Sequence, residues 1–470
     1  MSKINFKTLK EFIQIFYHKI IPRFIRARLS PLIHPPKLSK LIVHDKIDTY
    51  FQAYIKEITN NKNNNYKNNY LHKAFNKNMV RSDKIDVKWW SDFISLATLP
   101  NGLRFKQLNQ SLINRIEYSN FNSLEYFELL HIYSLCIRLS LFDLAYNLRK
   151  KSVNLALKQD TSVNLAESWK TKAKLSALLE AGSFSKFDKI FSKFKSRWKE
   201  EKFLLSYLRI ILKNFKKSLT IDKIIRMDSI QDQNYRNFIE NKKIVIVGPS
   251  TSNKKDGKKI DNADVVIRIN AMSKSSIGDP AIKGSRCDVT FFNGDQTTSI
   301  VKYGCLQWPN DITWVVGKEY GHAKEIIKRL SLDRINIKNL RGRGLQQIEP
   351  ALFNGALNVL PNILIDLMRF NPKEIFLYHF DMMLTKERFA GYYIKKMKKK
   401  IKYKDQLTKI RTRGLAIHDP VTQFIILKKF WKNKFLKGDK RFKKVIEMNI
   451  EDYMKELQKN YRNSKGLKSK

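Results

Sequence analysis

Cysteine is scarce in this chain: Cys136, Cys287 and Cys305 are the only three in 470 residues. They are too few and too scattered for a zinc site or a disulfide framework, so a reducing compartment is expected. Long apolar runs are missing as well. None approaches the roughly 18 residues of a membrane span, and the first residues carry no signal-peptide cleavage pattern. The expected location is cytoplasmic. Acidic residues are the third shortage, with 43 Asp and Glu against 91 Lys and Arg, a formal net charge of +48. Such an excess suits any polyanion, whether nucleic acid, anionic lipid or acidic glycan. Lysine, asparagine and isoleucine are also abundant throughout, as a genome of skewed base composition would produce, and most exposed lysines are simply solvated. Charge alone therefore does not choose a partner.

What is present is enough apolar material, 43% of the chain, for a sizeable core and two or more domains. Residues 1–40 form a basic amphipathic segment. In INFKTLKEFIQIFYHKIIPRFIRARL, Phe6, Leu9, Phe12, Ile13, Phe16 and Ile20 recur at helical spacing among Lys7, Lys10, Lys19, Arg23, Arg26 and Arg28. Such a helix suits the headgroup region of an anionic leaflet, or equally a groove on the protein's own body. Residues 41–236 read as a helical domain with little glycine or proline, broken by the asparagine-rich loop Asn60–Tyr70. Two later stretches predict helical hairpins, with turns near Leu141 and Gly182. They resemble tetratricopeptide-like pairs without the signature residues, and a plain helical bundle fits as well.

From residue 237 the pattern changes. Short β-branched or aromatic runs at Ile244–Val247, Val265–Ile269, Val289–Phe292, Ile312–Val316 and Ile375–Tyr378 alternate with helical or loop segments, which predicts an α/β fold with buried central strands. Beyond Asp381 the chain turns basic again. KKMKKKIKYK from Lys395 and the lysine-rich stretch past Lys434 read as a solvated loop and a frayed end, or as a charged lip for an anionic partner.

The chemistry is expected at the first strand. Gly248 ends that strand and lets the backbone turn at the carboxyl edge of the sheet, where open α/β sheets bind ligands. The PSTSN that follows lacks the further glycines of G-x-G-x-x-G and the GK[ST] of a P-loop, which disfavours a dinucleotide or nucleoside-triphosphate site of those kinds. In DVVIRIN, a period of two sets Arg268 and Asn270 on one face. A cation and an amide at a strand end suit a phosphate and a base or sugar edge. A structural arginine paired with Asp261 or Asp288 is the other reading.

Taken in order, IVIVGPSTSN, DGKKIDNADVVIRINA and GDPAIKGSRCDVTFFN resemble the large sialylmotif of the sialyltransferases of glycosyltransferase family 29. PALFNGALNVLPNILIDLMRFNPKEIFLYHFDMM resembles their small motif, and HDPVTQFIILKKF their very small motif. The resemblance spans Lys242 to about Trp431. It implies a Rossmann-like GT-A variant sheet, a CMP-activated acidic sugar as donor, and no cofactor or divalent metal. It places Gly248, Ser250, Arg268, Asn270, Ser285 and Arg286 around the donor. Asn354 and Gly355 meet the nucleotide from the opposite lip, and His418 is the general base.

The chain differs from that family at several points. Pro249 stands where an asparagine is usual, and Gln423 replaces a glutamate. The third motif is reduced to Gly391-Tyr392-Tyr393. The cysteines that link the large and small motifs in animal members are missing, since Lys242–Val247 has none and Phe370 and Asn371 stand near the other position. Read on its own, His418 precedes Asp419, a good N-cap, and Pro420, suited to a first turn, ahead of the stripe Val421, Phe424, Ile425 and Phe430. A histidine so placed can be neutral near pH 7, as a base must be.

The implied reaction is an inverting transfer of sialic acid or a related ulosonic acid to a glycan or glycolipid acceptor, with Arg268, Lys283, Arg286, Arg411 and Arg413 as candidate cations for the leaving phosphate. Peripheral contact with an anionic membrane on its inner face would give the positive charge a use, and no specific nucleic acid is expected. Two other readings are a non-enzymatic basic helical module binding nucleic acid or protein, and an α/β enzyme using a different nucleotide. Against the first, no RNA-recognition motif or zinc finger appears.

Overall fold

The computed structural model describes residues 87–99, 101–118, 126–159, 168–194, 230–271, 276–292, 312–317, 336–339, 357–385 and 419–462, with Phe121, Leu124, Arg209, Leu212, Lys213, Arg388 and Tyr392 between them. The amphipathic segment 1–40, the Asn60–Tyr70 loop and the lysine run from Lys395 lie outside the described residues.

Six helices open the described chain: α1 (Val87–Thr98), α2 (Leu103–Tyr118), α3 (Tyr126–Arg138), α4 (Phe142–Lys158), α5 (Ser168–Glu180) and α6 (Phe184–Lys193). The two predicted hairpins are present as α3 with α4 and α5 with α6. Their turns fall where the backbone goes left-handed, at Ser140 and at Gly182, close to the expected positions. After α7 (Ile230–Ile239) the sheet begins: β1 (Lys243–Val247), α8 (Gly257–Asp261), β2 (Val265–Ile269), α9 (Pro280–Lys283), β3 (Val289–Phe292), β4 (Trp314–Gly317) and β5 (Asn336–Asn339). Then come α10 (Val359–Leu367), the 3-10 turn Met368–Phe370, β6 (Glu374–Tyr378), α11 (Pro420–Lys432), β7 (Lys437–Gly438), α12 (Lys440–Ile446) and α13 (Ile450–Arg462).

The strands lie in the order β5-β4-β3-β2-β1-β6-β7, and every neighbouring pair is parallel. The β-branched runs of β1 to β4 are buried almost throughout, as a parallel sheet covered on both faces requires. All five expected strands form. The two that the pattern did not reveal are β5, whose residues NIKN are mostly polar, and the two-residue β7.

One face of the sheet, including Ile244, Ile246, Ile267, Phe291, Trp314 and Leu377, joins a single apolar core with Trp89, Phe93, Leu112, Leu144 and Leu148 of the helical half. The other face holds Val245, Val247 and Val266 with Ile260 and Ala263. The packing therefore runs across the expected boundary at residue 237. Nor is the lysine-rich stretch past Lys434 a solvated, frayed end. Phe442, Val445 and Ile446 of α12 and Tyr453, Met454, Leu457 and Tyr461 of α13 are buried, an apolar spacing that the intervening lysines obscure. The α13 helix packs on the helical half: the Arg462 guanidinium donates to the carbonyls of Leu139 and Leu96, both at 3.2 Å, and lies 4.3 Å from the centre of the Phe105 ring.

The helix that leads into the sheet is fixed by a buried ionic group. Arg369 bridges Asp232 of α7 at 3.0 Å and Asp366 of α10 at 3.3 Å, with all three side chains fully shielded from solvent. Tyr235 stacks edge-on against Trp314 and Phe370. Removing the cation strands two carboxylates in the core. Arg369→Met should therefore destabilise the fold by about 3–5 kcal/mol, read as a lowered midpoint in urea unfolding.

Candidate functional site

Because β2 lies on one side of β1 and β6 on the other, the chain changes direction across the sheet at the β1/β6 boundary. In open parallel sheets the crevice at the carboxyl ends of the strands beside such a point is where ligands bind. Here the loops after β1 and β6 leave side by side. The Gly248 amide donates to the Tyr378 carbonyl at 2.8 Å, and the Ser250 amide to the His379 carbonyl at 3.3 Å. A Cβ at residue 248 would stand 2.3 Å from the His379 carbonyl oxygen. Glycine is thus required here by close backbone approach rather than by a sharp turn.

Beneath this pair of loops lies Lys283, at the end of α9. Its buried ammonium donates to the carbonyls of Gly248 at 3.0 Å and Ser250 at 2.7 Å. Burial, reinforced by the charges of Arg268 and Arg441, brings its pKa down to about 7. Arg268 is committed in the same way. Its guanidinium donates to the carbonyls of Arg286 (2.6 Å), Ile277 (3.1 Å), Lys283 (2.8 Å) and Gly284 (2.9 Å). It pairs with neither Asp261 nor Asp288. Ser285 and Arg286 belong to an adjoining knot. The Asp261 carboxylate accepts from the Ser285 amide and hydroxyl and from the Arg286 amide, while the Arg286 side chain donates to the Asp261 and Ala263 carbonyls and pairs with Asp288. Of the cations and hydroxyls expected around a donor, these three build the wall behind the site.

Asn270, directly after β2, is in the left-handed region, φ 55°, a conformation asparagine tolerates better than most residues. Arg268 and Asn270 take different partners. The Asn270 amide nitrogen donates to the Tyr392 hydroxyl at 2.9 Å, and both side chains are buried. Two of the sequence segments singled out above, around Asn270 and around Tyr392, are thereby brought together at the carboxyl edge of the sheet. Ser250 is there too, and buried. Asn354, Gly355, His418, Arg411 and Arg413 lie outside the described residues.

Three residues at this edge were not anticipated. His379, after β6, is left-handed at φ 59°, as are Met382 and Met383 nearby. Its ring Nε2 lies 3.0 Å from the Ile282 carbonyl, so Nε2 carries the proton and Nδ1 the lone pair. Burial first, and then the Lys283 charge, lower its pKa to about 4 and keep the ring neutral. Asp381 accepts from the amides of Met383 and Thr385 and pairs with Arg441 at 3.0 Å. Arg441 also donates to the Thr251 carbonyl, tying α12 to the loop after β1. The Tyr453 and Tyr461 hydroxyls of α13 donate to the carbonyls of Met382 (2.7 Å) and Met383 (3.0 Å). Left-handed non-glycine residues each cost on the order of 1–3 kcal/mol and gather at functional sites. A polar H-x-D directly after a half-buried strand was the available signal for His379 and Asp381. Arg441, 190 residues from its partner Thr251, had none.

Comparison with models of known protein families gives no match for this chain, and comparison with curated proteins gives none either.

The Lys283 clamp has a pH signature. Its folded-state pKa lies below the ordinary lysine value of 10.5, so between about pH 7 and pH 10 the unfolded chain holds more protons and stability rises with pH. The penalty of burying the charge is fully present below pH 7. In Lys283→Met this contribution is absent. The stability difference between wild type and variant, from denaturant titrations, should therefore move in favour of the wild type as pH rises from 7 to 10. A difference that stays flat would count against the buried clamp.

Proposed function

We propose that this chain is an inverting glycosyltransferase that moves sialic acid or a related ulosonic acid from a CMP-activated donor to a glycan or glycolipid acceptor. The fold is read as a GT-A variant sheet fused to a helical half. The observation that carries this reading is the hydrogen bond from Asn270 to Tyr392. It joins two segments that resemble separate sialyltransferase motifs, at the sheet edge where a nucleotide is expected.

In this reading His418 removes the proton from an acceptor hydroxyl, the oxygen attacks the anomeric carbon, and CMP departs from the opposite side. The configuration at that carbon inverts. Asn270 and the backbone of the Gly248–Ser250 loop face the cytidine and ribose, with Asn354 and Gly355 on the other lip. The role of Arg268, Ser285 and Arg286 is revised: they hold the wall of the site in shape, because their polar groups are taken up by carbonyls and by Asp261 and Asp288. Lys283 is likewise committed to the Gly248 and Ser250 carbonyls, so cations for the departing phosphate come from elsewhere in the chain, with Arg411 and Arg413 as the candidates that remain from the sequence. The positive charge favours an anionic, membrane-bound acceptor at a cytoplasmic face.

Calorimetric titration with CMP, using UDP and NAD as controls, tests the donor site. Wild type should bind CMP selectively. Asn270→Asp, which tolerates the same left-handed backbone, should bind it roughly tenfold or more weakly, the loss of one or two hydrogen bonds. Equal affinity for UDP or NAD, or no binding at all, would sink the donor assignment. With a CMP-sugar and acceptor, His418→Ala should lower turnover by about 10²-fold or more while CMP still binds.

A further inference from the structure

We propose that the end of α11, β7 and α12 together form a docking surface for an anionic lipid bilayer. The use of such docking rests on the reading of a membrane-bound acceptor given above; the surface itself is argued from its own residues.

Positive charge is not spread evenly over the last helices. Residues 428–444 hold eight lysines and Arg441 against a single acid, Asp439, whereas α13 carries three acids and three bases. The one acid is engaged as the cap of α12, accepting from the Phe442 amide, and also accepts from the His379 amide. A lysine-rich background common to the whole chain does not produce this contrast.

Packing gathers these cations. Trp431 of α11 meets Phe442 of α12 edge-on, with ring centres 5.8 Å apart, and the Lys428 ammonium donates to the Met448 carbonyl just past α12. The two helices therefore lie side by side. Lys428 and Lys432 stand one turn apart on α11, as Lys440 and Lys444 do on α12, and like charges so spaced repel. Burial first, and then the charge of Lys432, lower the pKa of Lys428 and Lys429. Lys437 pairs with Glu374 and Lys443 with Glu447, while Lys429, Lys432, Lys434, Lys440 and Lys444 make no ion pair among the described residues. The fold thus holds together cations whose repulsion an anionic partner would relieve.

The side chains also select the kind of partner. Eight of the nine cations are lysine, a point charge without the planar fork with which arginine recognises nucleic acids. Among them lie Trp431 and Phe435, both partly buried against the core, and such aromatic rings settle at headgroup depth. No helix of the described residues is long and apolar enough to cross a membrane, so contact through this surface is peripheral. Arg441 connects the surface to the carboxyl edge of the sheet, through the Thr251 carbonyl and Asp381. A bilayer held here lies beside the crevice.

Sedimentation of the full chain with vesicles of phosphatidylcholine, with and without phosphatidylglycerol, tests the proposal. Wild type should bind the vesicles that contain phosphatidylglycerol and leave the others. The variant Lys429→Glu/Lys432→Glu/Lys440→Glu/Lys444→Glu should bind them roughly a hundredfold or more weakly, since each cation at a charged bilayer counts for several-fold. The same change of charge at Arg104, Lys106, Lys186 and Lys193, exposed on α2 and α6, should weaken binding by about threefold at most, because salt screens charges held away from the lipid. An unchanged urea midpoint verifies that each variant is folded, and Gln at the same four positions serves if the Glu variant is not. Equal losses in the two variants would make net charge the cause and overturn the proposal. Binding by wild type that ignores phosphatidylglycerol would overturn it too, as would a patch variant that loses duplex DNA but keeps the vesicles. Neither donor nor acceptor enters this test, so a protein that docks on lipid without binding CMP would sink the proposed function and leave the surface standing.

Discussion

The carboxyl edge of the sheet is held by two buried nitrogen side chains, Arg268 and Lys283, whose N–H groups are satisfied by peptide carbonyls. Arg268 gathers four carbonyls of the segment between Ile277 and Arg286, and Lys283, at the centre of that segment, spans the carbonyls of Gly248 and Ser250. Without the first, the α9 segment has no reason to fold back over β2. Without the second, the loop after β1 has no floor. The left-handed residues after β6 and the close backbone approach at Gly248 lie beside these two side chains and their carbonyl partners. Of the carboxylates at this edge, Asp381 pairs with Arg441 and Asp439 accepts from the His379 amide.

The rest of the molecule braces that edge from a distance. The apolar face of the sheet shares its core with the helical half, α12 reaches the loop after β1 through Arg441, and α13 holds the loop after β6 through Tyr453 and Tyr461. The helical half and the sheet are parts of one packed body, and the last helices of the chain are the struts between them.

How far this was legible in the sequence depended on the range of each signal. The runs around Ile246, Ile267 and Phe291 announced strands because a buried parallel strand is a local pattern of β-branched and aromatic residues. Asp419 and Pro420 announced the start of a helix for an equally local reason, and the Asp419 side chain does accept from the Val421 and Thr422 amides. Asn270 was singled out correctly as a residue at the strand end, but its partner Tyr392 lies 122 positions away and no periodicity points to it. Arg268 misled because a lone arginine in a strand looks the same whether it faces a phosphate or a ring of carbonyls; only the fold of residues 277–286 decides. Phe442, Val445 and Ile446 were hidden for a compositional reason, since lysines on the exposed face of a short helix dilute its apolar stripe.

The way Arg462 closes the molecule bears on how it is made. Its guanidinium caps the carbonyls of Leu96, Leu99 and Leu139, more than three hundred residues earlier, and covers Phe105. During synthesis those helices emerge first and must wait, with an apolar face uncovered, until the residues around Arg462 have been made. Contacts of such long sequence separation form late and slowly, and exposed apolar surface in the interval invites aggregation. At a formal net charge of +48, mutual repulsion between copies opposes that association.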